Sequence, residues 1–234
     1  MHGSLTAATL VLLLLIVAAA TVDDASAVEG TKYASAVSSS GGVISSEAIA
    51  ASEAGLGVLD AGGNAIDAAI ASTFALGVAR PQSCGIGGGG FMVYRGADGE
   101  TAALDFRETA PEAITPETFA GQGIYKTFTG HTTVGVPGTV AGMQAAIESY
   151  GTISLAEAIS PAERLAREGF EVPESVAEEM GNHVERLRLY PETAEQFLVG
   201  GEEPYAPGSV LVQPDLAGTL APADPRSSWA PSSP

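Results

Sequence analysis

The chain has 234 residues, of which 45% are hydrophobic, and a mean hydropathy of +0.21, so it can bury a core and is not disordered. Asp and Glu outnumber Lys and Arg by 28 to 10, and the net charge of −18 repels phosphate backbones and excludes nucleic acid as a partner. An acidic surface whose lysines are Lys32 and Lys126 alone is typical of a salt-loving (halophilic) source; an acidic protein of ordinary origin is the alternative.

Residues 1–27 have the features of an export signal. Residues 10–20 form an unbroken apolar run, and Ala25-Ser26-Ala27 resembles a small-residue cleavage site, after which Val28 would begin the mature chain. The segment before the run carries no Lys or Arg, and the longer stretch from Leu5 to Val22 is close to the minimum length of a membrane span, about 18 residues. We therefore predict a signal peptide and a secreted or extracytoplasmic protein. An uncleaved membrane anchor and a misassigned start codon are the alternatives.

The first helix of the folded region is predicted over residues 48–59. Ser45 or Ser46 would cap its N-terminus, because a serine hydroxyl can accept a hydrogen bond from the unpaired amides of the first turn. The two glycines at 62 and 63 would end it.

A buried helix over residues 65–78 follows, with apolar side chains at the helical period; Asn64 and Asp67 are assigned to helix capping and packing. It leads into a turn at residues 85–90 that contains five glycines, and then into a β-hairpin over residues 91–106. Each glycine costs about 0.5–1 kcal/mol on folding relative to alanine. A glycine turn that leads directly into a strand therefore indicates a site.

The glycine turn also satisfies a dinucleotide-binding pattern. Gly85, Gly87 and Gly90 fit G-x-G-x-x-G, and Asp105 stands at about the distance expected for a ribose contact. That motif needs a strand before the glycines and a helix after them, so that phosphate meets the helix N-terminus. Here a helix comes first and a strand second, which argues against a nucleotide site.

The second half of the chain is predicted to be mostly helical. A further strand is expected over residues 132–136, a helix over residues 155–168 that starts at a capping box on Ser154, and a solvated helix over residues 174–189. Pro161 is expected to kink or divide the first of these helices. Together with the hairpin, this order of elements predicts an α+β fold.

Several blocks resemble, in family order, the N-terminal (large-subunit) half of the gamma-glutamyltransferase family. They are GGNAIDAAIA from residue 62, GIGGGGF from residue 85, DFRETAP from residue 105 and VGVPG from residue 134. The similarity runs over residues 42–220. It implies that residues 28–220 form part of the four-layer αββα sandwich of an N-terminal-nucleophile hydrolase, whose remaining strands belong to an absent half.

The resemblance also implies a chemistry and a binding residue. Family members cleave themselves, and the new N-terminal threonine attacks the γ-glutamyl amide of glutathione-like donors, forming an acyl-enzyme that water, an amino acid or a peptide resolves. The arginine of the DFRE block binds the α-carboxylate of the glutamyl group, and here it is Arg107. A guanidinium suits that role because its planar fork binds a carboxylate through two hydrogen bonds. The alternative is an arginine that pairs only with Glu108 or Asp105 at a strand end.

No catalytic residue is predicted within this chain. A threonine nucleophile of this kind needs a free amino terminus, and His131-Thr132-Thr133 has a similar composition to the family's cleavage block in a different order and place. We interpret it as structural. The sequence contains no H-E-x-x-H and no paired cysteines, so neither a metal nor a cofactor is expected. The single cysteine, Cys84, excludes an internal disulfide and is interpreted as a small buried filler.

Residues 221–234 depart from the family pattern. They contain four prolines, which cannot sustain the helix that the family would continue. We interpret this tail as out-of-frame translation or a truncated gene, so that the family's small subunit is an absent partner. Two functional interpretations stay open: the γ-glutamyl donor-binding half of an enzyme, or a catalytically dead or non-enzymatic binding fragment of the same family.

Overall fold

The computed structural model describes residues 36–123 and 128–221, and the chain divides into a unit at Met1–Ser40 and a second unit at Gly41–Pro234. Of the first unit, residues 36–40 are described, and they contain no helix or strand. The predicted signal peptide and nearly all of the predicted tail lie outside the described residues. Within the part that is described, no helix is long and apolar enough to cross a membrane.

The described part of the second unit combines α-helices with three small antiparallel sheets. In chain order, the elements are α1 (Ile49–Asp60), α2 (Ala65–Ala79), β1 (Phe91–Arg95), β2 (Thr101–Asp105), α3 (Thr139–Tyr150), α4 (Leu155–Glu168), β3 (Phe170–Glu171), α5 (Glu174–Asn182), α6 (Val184–Leu187), α7 (Pro191–Phe197), β4 (Leu198–Val199), β5 (Glu203–Pro204), β6 (Val210–Leu211) and α8 (Pro214–Leu220). Strand β1 pairs with β2, β3 with β6, and β4 with β5. The mixture of helices and small sheets confirms the predicted α+β class.

Helix α2 forms the centre of the core. Its side chains Ile70, Phe74 and Val78 are almost completely buried, and it packs against α1, α3 and α4. Burying each of these three side chains stabilises the fold by about 1.5–3 kcal/mol. The neighbouring helices contribute alanines such as Ala51 and Ala158, which are fully buried and let the helices approach closely. The predicted buried helix after Asn64 is confirmed.

Asn64 and Asp67 form a reciprocal cap on α2. The Asn64 side chain accepts hydrogen bonds from the backbone N–H groups of Ile66 (2.8 Å) and Asp67 (3.1 Å), and the Asp67 carboxylate accepts one from the backbone N–H of Asn64 (2.8 Å). Asp67 is fully buried and also accepts from the backbone N–H (2.9 Å) and hydroxyl of Thr152. Burial raises the pKa of Asp67, but the hydrogen bonds from Thr152 and Asn64 outweigh it and hold the pKa below its ordinary value. The predicted capping and packing roles are confirmed.

The hairpin forms where the alternating pattern predicts it. Phe91 pairs with Asp105 and Val93 with Ala103, and these residues are on the exposed face, whereas Met92 on the other face packs against the core. Strand β2 also contacts α3. The hairpin therefore brings the end of β2, where the DFRE block begins, beside the N-terminal half of α3.

The predicted cap of α1 is wrong in detail. The helix begins at Ile49 after Ala48, which has no side chain that could cap it. The Ser46 hydroxyl instead donates a hydrogen bond to the backbone oxygen of Ala48 (2.8 Å) and contacts the Ser52 hydroxyl at 2.7 Å. Ser46 therefore bonds to groups around the first turn rather than to the orphan amides.

The predicted strand over residues 132–136 is also wrong. His131–Thr133 is a short 3-10 helix, and the backbone N–H and hydroxyl of Thr133 both donate to the backbone oxygen of Gly130, at 3.1 and 2.8 Å. Within the described part of the chain, residues 132–136 pair with another segment through one bridge, between Thr109 and Val136. The threonine hydroxyl competes for a local carbonyl here, which favours a turn over an extended strand.

The helices of the second half differ from prediction at two points. Helix α4 begins at the predicted capping box on Ser154 and runs through Pro161 as one helix, so the predicted division is wrong, while the alternative of a kink stays a prediction. Ala158 and Ala162 are fully buried in the core cluster, and α4 packs against α2. This packing compensates for the one hydrogen bond that proline cannot donate. The predicted helix over residues 174–189 is divided at His183, which ends α5 and precedes α6.

Candidate functional site

Arg107 lies in the segment that directly follows β2. Its backbone N–H donates to Oδ1 of Asp105 (3.0 Å), and its Nε donates to Oε2 of Glu108 (3.1 Å). The Arg107 side chain is 67% exposed and the Glu108 side chain 32%. Among the described residues, the guanidinium donates this one hydrogen bond, so Nη1 and Nη2 have no protein acceptor there.

The glycine turn continues the hairpin past its strand ends. Gly90 and Phe106 exchange backbone hydrogen bonds, with the Phe106 N–H donating to the Gly90 oxygen at 3.0 Å and the Gly90 N–H donating to the Phe106 oxygen at 3.3 Å. The next glycine, Gly89, has its Cα so close to the Phe106 oxygen and the Glu108 nitrogen that a Cβ there would lie under 3.0 Å from both. The missing side chain at 89 is therefore required by a close approach of two backbone segments.

A third segment joins these two. The backbone N–H groups of Gly138 and Thr139 both donate to the Gly88 oxygen, at 2.8 and 3.0 Å, and the Thr139 hydroxyl donates to the Gly85 oxygen at 3.3 Å. The Val136 N–H donates to the Thr109 oxygen at 2.8 Å. The three sequence blocks GIGGGGF, DFRETAP and VGVPG therefore meet around Arg107 and Glu108.

The glycine turn has one of the two roles that its composition suggested. The sequence indicates a turn that admits a ligand or another backbone. Among the described residues, what approaches Gly89 is the Phe106–Glu108 backbone of the same chain. Sequence reasoning identified the turn and Arg107 separately but missed Phe106, Gly138 and Thr139 as the residues that connect them. The signal for them in the sequence was their place in or next to two of the matched blocks: Phe106 stands in DFRETAP, Gly138 ends VGVPG and Thr139 follows it.

The remaining candidates for chemistry lie elsewhere or are only partly buried. The His131 ring packs edge-on against the Tyr190 ring, with 6.0 Å between centroids, and His131–Thr133 is an internal 3-10 helix. Cys84 is half-buried rather than buried as predicted, with its sulfur 3.8 Å from the Ser83 hydroxyl. Within the described ranges, no group of three or more His, Cys, Asp or Glu side chains could hold a metal ion.

A separate open cavity of about 880 Å³ lies between the 3-10 helix at His131–Thr133 and helices α5 to α7. Its basic residues contact protein acceptors: Arg186 donates to the Phe128 oxygen (2.6 Å), the imidazole of His183 lies 3.4 Å from the Glu179 carboxylate, and Arg80 pairs with Glu47 at 3.4 Å. Arg186 and His183 therefore have partners, whereas Nε of Arg80 is buried without one among the described residues. One unpartnered nitrogen does not make a set of convergent groups for a ligand.

Comparisons with known proteins agree on one family. Residues 51–222 match the family model for gamma-glutamyltranspeptidase. The chain is 39% identical over 183 residues to the glutathione hydrolase proenzyme of Escherichia coli, covering 76% of this chain and 32% of that protein. It is 43% identical over 176 residues to the glutathione hydrolase proenzyme of Bacillus subtilis, covering 73% and 30%.

The fold agrees with that assignment. The structure matches the crystal structure of Helicobacter pylori gamma-glutamyltranspeptidase with a TM-score of 0.76 at 42% identity, covering 80% of this chain and 54% of that one. This chain therefore spans about a third of the length of the curated relatives it matches. On the matched family model, the sequence identities and the shared fold, the chain belongs to the gamma-glutamyltranspeptidase family, whose structural neighbours have the N-terminal-nucleophile hydrolase fold.

Proposed function

We propose that this chain forms the γ-glutamyl donor-binding part of a gamma-glutamyltransferase, with Arg107 binding the α-carboxylate of the glutamyl group. The observation that carries the proposal is the geometry of that guanidinium. Glu108 accepts from Nε, and Nη1 and Nη2 have no acceptor among the described residues. Three sequence blocks fix the backbone on either side. A carboxylate can accept two parallel hydrogen bonds from that edge.

The reaction that such a site serves is acyl transfer from an amide. A threonine hydroxyl adds to the γ-carbonyl carbon, its proton passing to the threonine's own amine, and the C–N bond then breaks as that proton moves to the leaving amine. Water, or the amine of an amino acid or peptide, attacks the resulting ester and releases the threonine. The threonine comes from a segment other than His131–Thr133, which is internal and closes on its own backbone. The donor is glutathione or a related γ-glutamyl compound, and the partner is the family's small subunit.

Two observations favour the second candidate, a catalytically dead or non-enzymatic member of the family. Arg107 already has a protein partner in Glu108, and the glycine that contacts this segment, Gly89, makes room for backbone. In that case Arg107 and the glycine turn serve folding alone, and removing the guanidinium does not change binding of the donor.

A chimera separates the two candidates. Residues 41–221 of this chain replace the matching segment of the Bacillus subtilis relative, and release of a chromogenic amine from a γ-glutamyl anilide is measured. We expect an active chimera in which Arg107→Ala raises KM about 10- to 100-fold with a smaller change in kcat, because the α-carboxylate is held in both ground and transition states. Arg95→Ala, at the exposed end of β1, is the matched control. Equal kinetics for the two variants would reject the donor-binding role.

We also propose that the protein is exported. The support is the apolar run at residues 10–20 and the small-residue motif ending at Ala27. N-terminal sequencing of protein recovered from the culture medium or cell envelope should begin at Val28. A start at Met1 on membrane-bound protein would indicate the uncleaved anchor instead.

A further inference from the structure

Phe106 stands immediately before Arg107 and is surrounded by glycines from two separate blocks. A Cβ placed on Gly138 would lie under 3.0 Å from the Phe106 oxygen, and one placed on Gly142 would lie under 3.0 Å from Cβ and Cγ of Phe106. Gly89 approaches the same oxygen from the glycine turn. Real Cβ atoms essentially never come this close to other heavy atoms, so all three positions require glycine while Phe106 keeps its place.

Gly142 destabilises the helix in which it lies, which indicates that its close contact with Phe106 is specific. Gly142 lies in the first half of α3, where alanine is the better helix former. Gly57 lies inside α1 in the same kind of backbone, but a Cβ there would meet no atom within 4 Å. Gly57 is exposed and Gly142 is buried. Of these two helical glycines, only Gly142 has a neighbour that an added methyl group would displace, and that neighbour is Phe106.

Displacement of Phe106 would be transmitted to Arg107 through a short, constrained backbone. Phe106 exchanges two hydrogen bonds with Gly90, and the Arg107 N–H is held by Asp105. These contacts fix both sides of the peptide unit from which the Arg107 side chain projects. The side chain itself is exposed and has Glu108 as its partner among the described residues, so its position depends on where Phe106 places its backbone.

We propose that Phe106 is a positioning residue. Gly138, which precedes α3, and Gly142, inside it, leave room for the backbone and ring of Phe106, so that Arg107 meets Glu108 and presents its outer edge to the donor. The part concerning the donor rests on the proposed function; the part concerning Arg107 and Glu108 does not. A site that binds a carboxylate end-on needs the guanidinium within a fraction of an ångström of its place. Helix α3 supplies that placement without contacting the ligand.

The test uses the full chain, labelled with ¹⁵N, and follows the Arg107 Nε–H resonance by NMR. Glu108→Ala removes the acceptor and provides the reference position for an unpaired Nε. In Gly142→Ala we expect this resonance to move from its wild-type position toward that reference, and exchange of the Phe106 and Gly90 amides to become about tenfold faster as their hydrogen bonds weaken. Gly57→Ala, the matched helical control, should leave both signals unchanged.

A second variant covers the case in which Gly142→Ala fails to fold. Phe106→Leu keeps an apolar side chain but removes the ring that packs on Gly142, and we expect the same shift of the Arg107 resonance. A wild-type Arg107 resonance in folded Gly142→Ala, or in Phe106→Leu, would overturn the proposal. Because this measurement needs no ligand, its result is independent of the chimera assay. If the chimera assay rejected the donor-binding role, the NMR measurement would still test whether Phe106 positions Arg107.

Discussion

Arg107 and Glu108 form an ion pair between adjacent residues that contributes little to stability, because one partner is largely exposed and water screens the attraction. The pair instead restricts the rotamers of a long side chain. An arginine suits this arrangement because one nitrogen can bind Glu108 while two others remain for a carboxylate. A lysine has a single nitrogen that cannot serve both partners in fixed geometry.

The corresponding prediction concerns the conservative substitution. In the chimera, Arg107→Lys should raise KM nearly as much as Arg107→Ala, by about tenfold or more, even though the charge is kept. Arg95→Lys should leave the kinetics unchanged. If Arg107→Lys retained the wild-type KM, charge alone would explain binding, and the bidentate geometry argued above would be wrong.

Between elements, the buried Asp67 connects the start of α2 with the loop between α3 and α4. Its carboxylate accepts from Asn64 on one side and from Thr152 on the other, and the Asn64 amide donates to the Tyr150 oxygen at 2.6 Å. This network holds the end of α3 against α2. Helix α3 therefore has its first half at the Arg107 segment and its end fixed to the core.

Replacing Asp67 should weaken that connection in a pH-dependent way. We expect Asp67→Asn to lower the free energy of unfolding at pH 7 by about 1.5–3 kcal/mol, the range for hydrogen bonds to a charged group. Because the folded pKa of Asp67 is lowered, the wild-type stabilisation is present above the unfolded value of about 3.9 and is lost as the pH falls through the folded pKa.

Urea unfolding followed by circular dichroism between pH 3 and 7 measures both effects. The gap between wild type and Asp67→Asn should close toward the acid end. Asp60→Asn, at the exposed end of α1, is the control for the general relief of negative charge. A gap that stays constant with pH would mean that Asp67 acts through packing rather than through its ionised carboxylate.

Across the whole molecule, negative charge is concentrated at the surface. The complete sequence has 28 acidic and 10 basic residues. Among the acidic residues that the structure describes, Asp67 is the one that is buried. The described ion pairs are mostly exposed and neutralise only part of this excess. Self-repulsion at low ionic strength therefore opposes the compact state, and salt screens it.

We expect the midpoint of thermal unfolding to rise by at least about 5 °C between 0.1 and 2 M KCl, which corresponds to roughly 2 kcal/mol for a chain of this size. Differential scanning calorimetry of the full chain measures the change. Sucrose at equal osmolality is the control for general exclusion of solutes from the surface. An unchanged midpoint in KCl would favour the alternative of an acidic protein of ordinary origin.

The sequence by itself determined the features that depend on neighbours along the chain. The buried α2 helix, the cap at Asn64 and the capping box at Ser154 follow from side-chain period and from groups three residues apart. The resemblance carried by the blocks around residues 62, 85, 105 and 134 was sufficient to identify the family. Arg107 was also named from its block, and its binding role remains a prediction.

Tertiary structure decided what depends on residues distant in sequence. Pro161 stays inside α4 because burial against other helices outweighs one missing hydrogen bond. The turn at Thr133 is a local exception: its hydroxyl bonds to Gly130, three residues before it, although threonine also favours strands. The site, like Pro161, depends on distant residues: no local pattern shows that Gly138 and Gly142 enclose Phe106, more than thirty residues before them. Close approach between segments leaves no periodic signal in a sequence, because it is set by how the hairpin and α3 pack together.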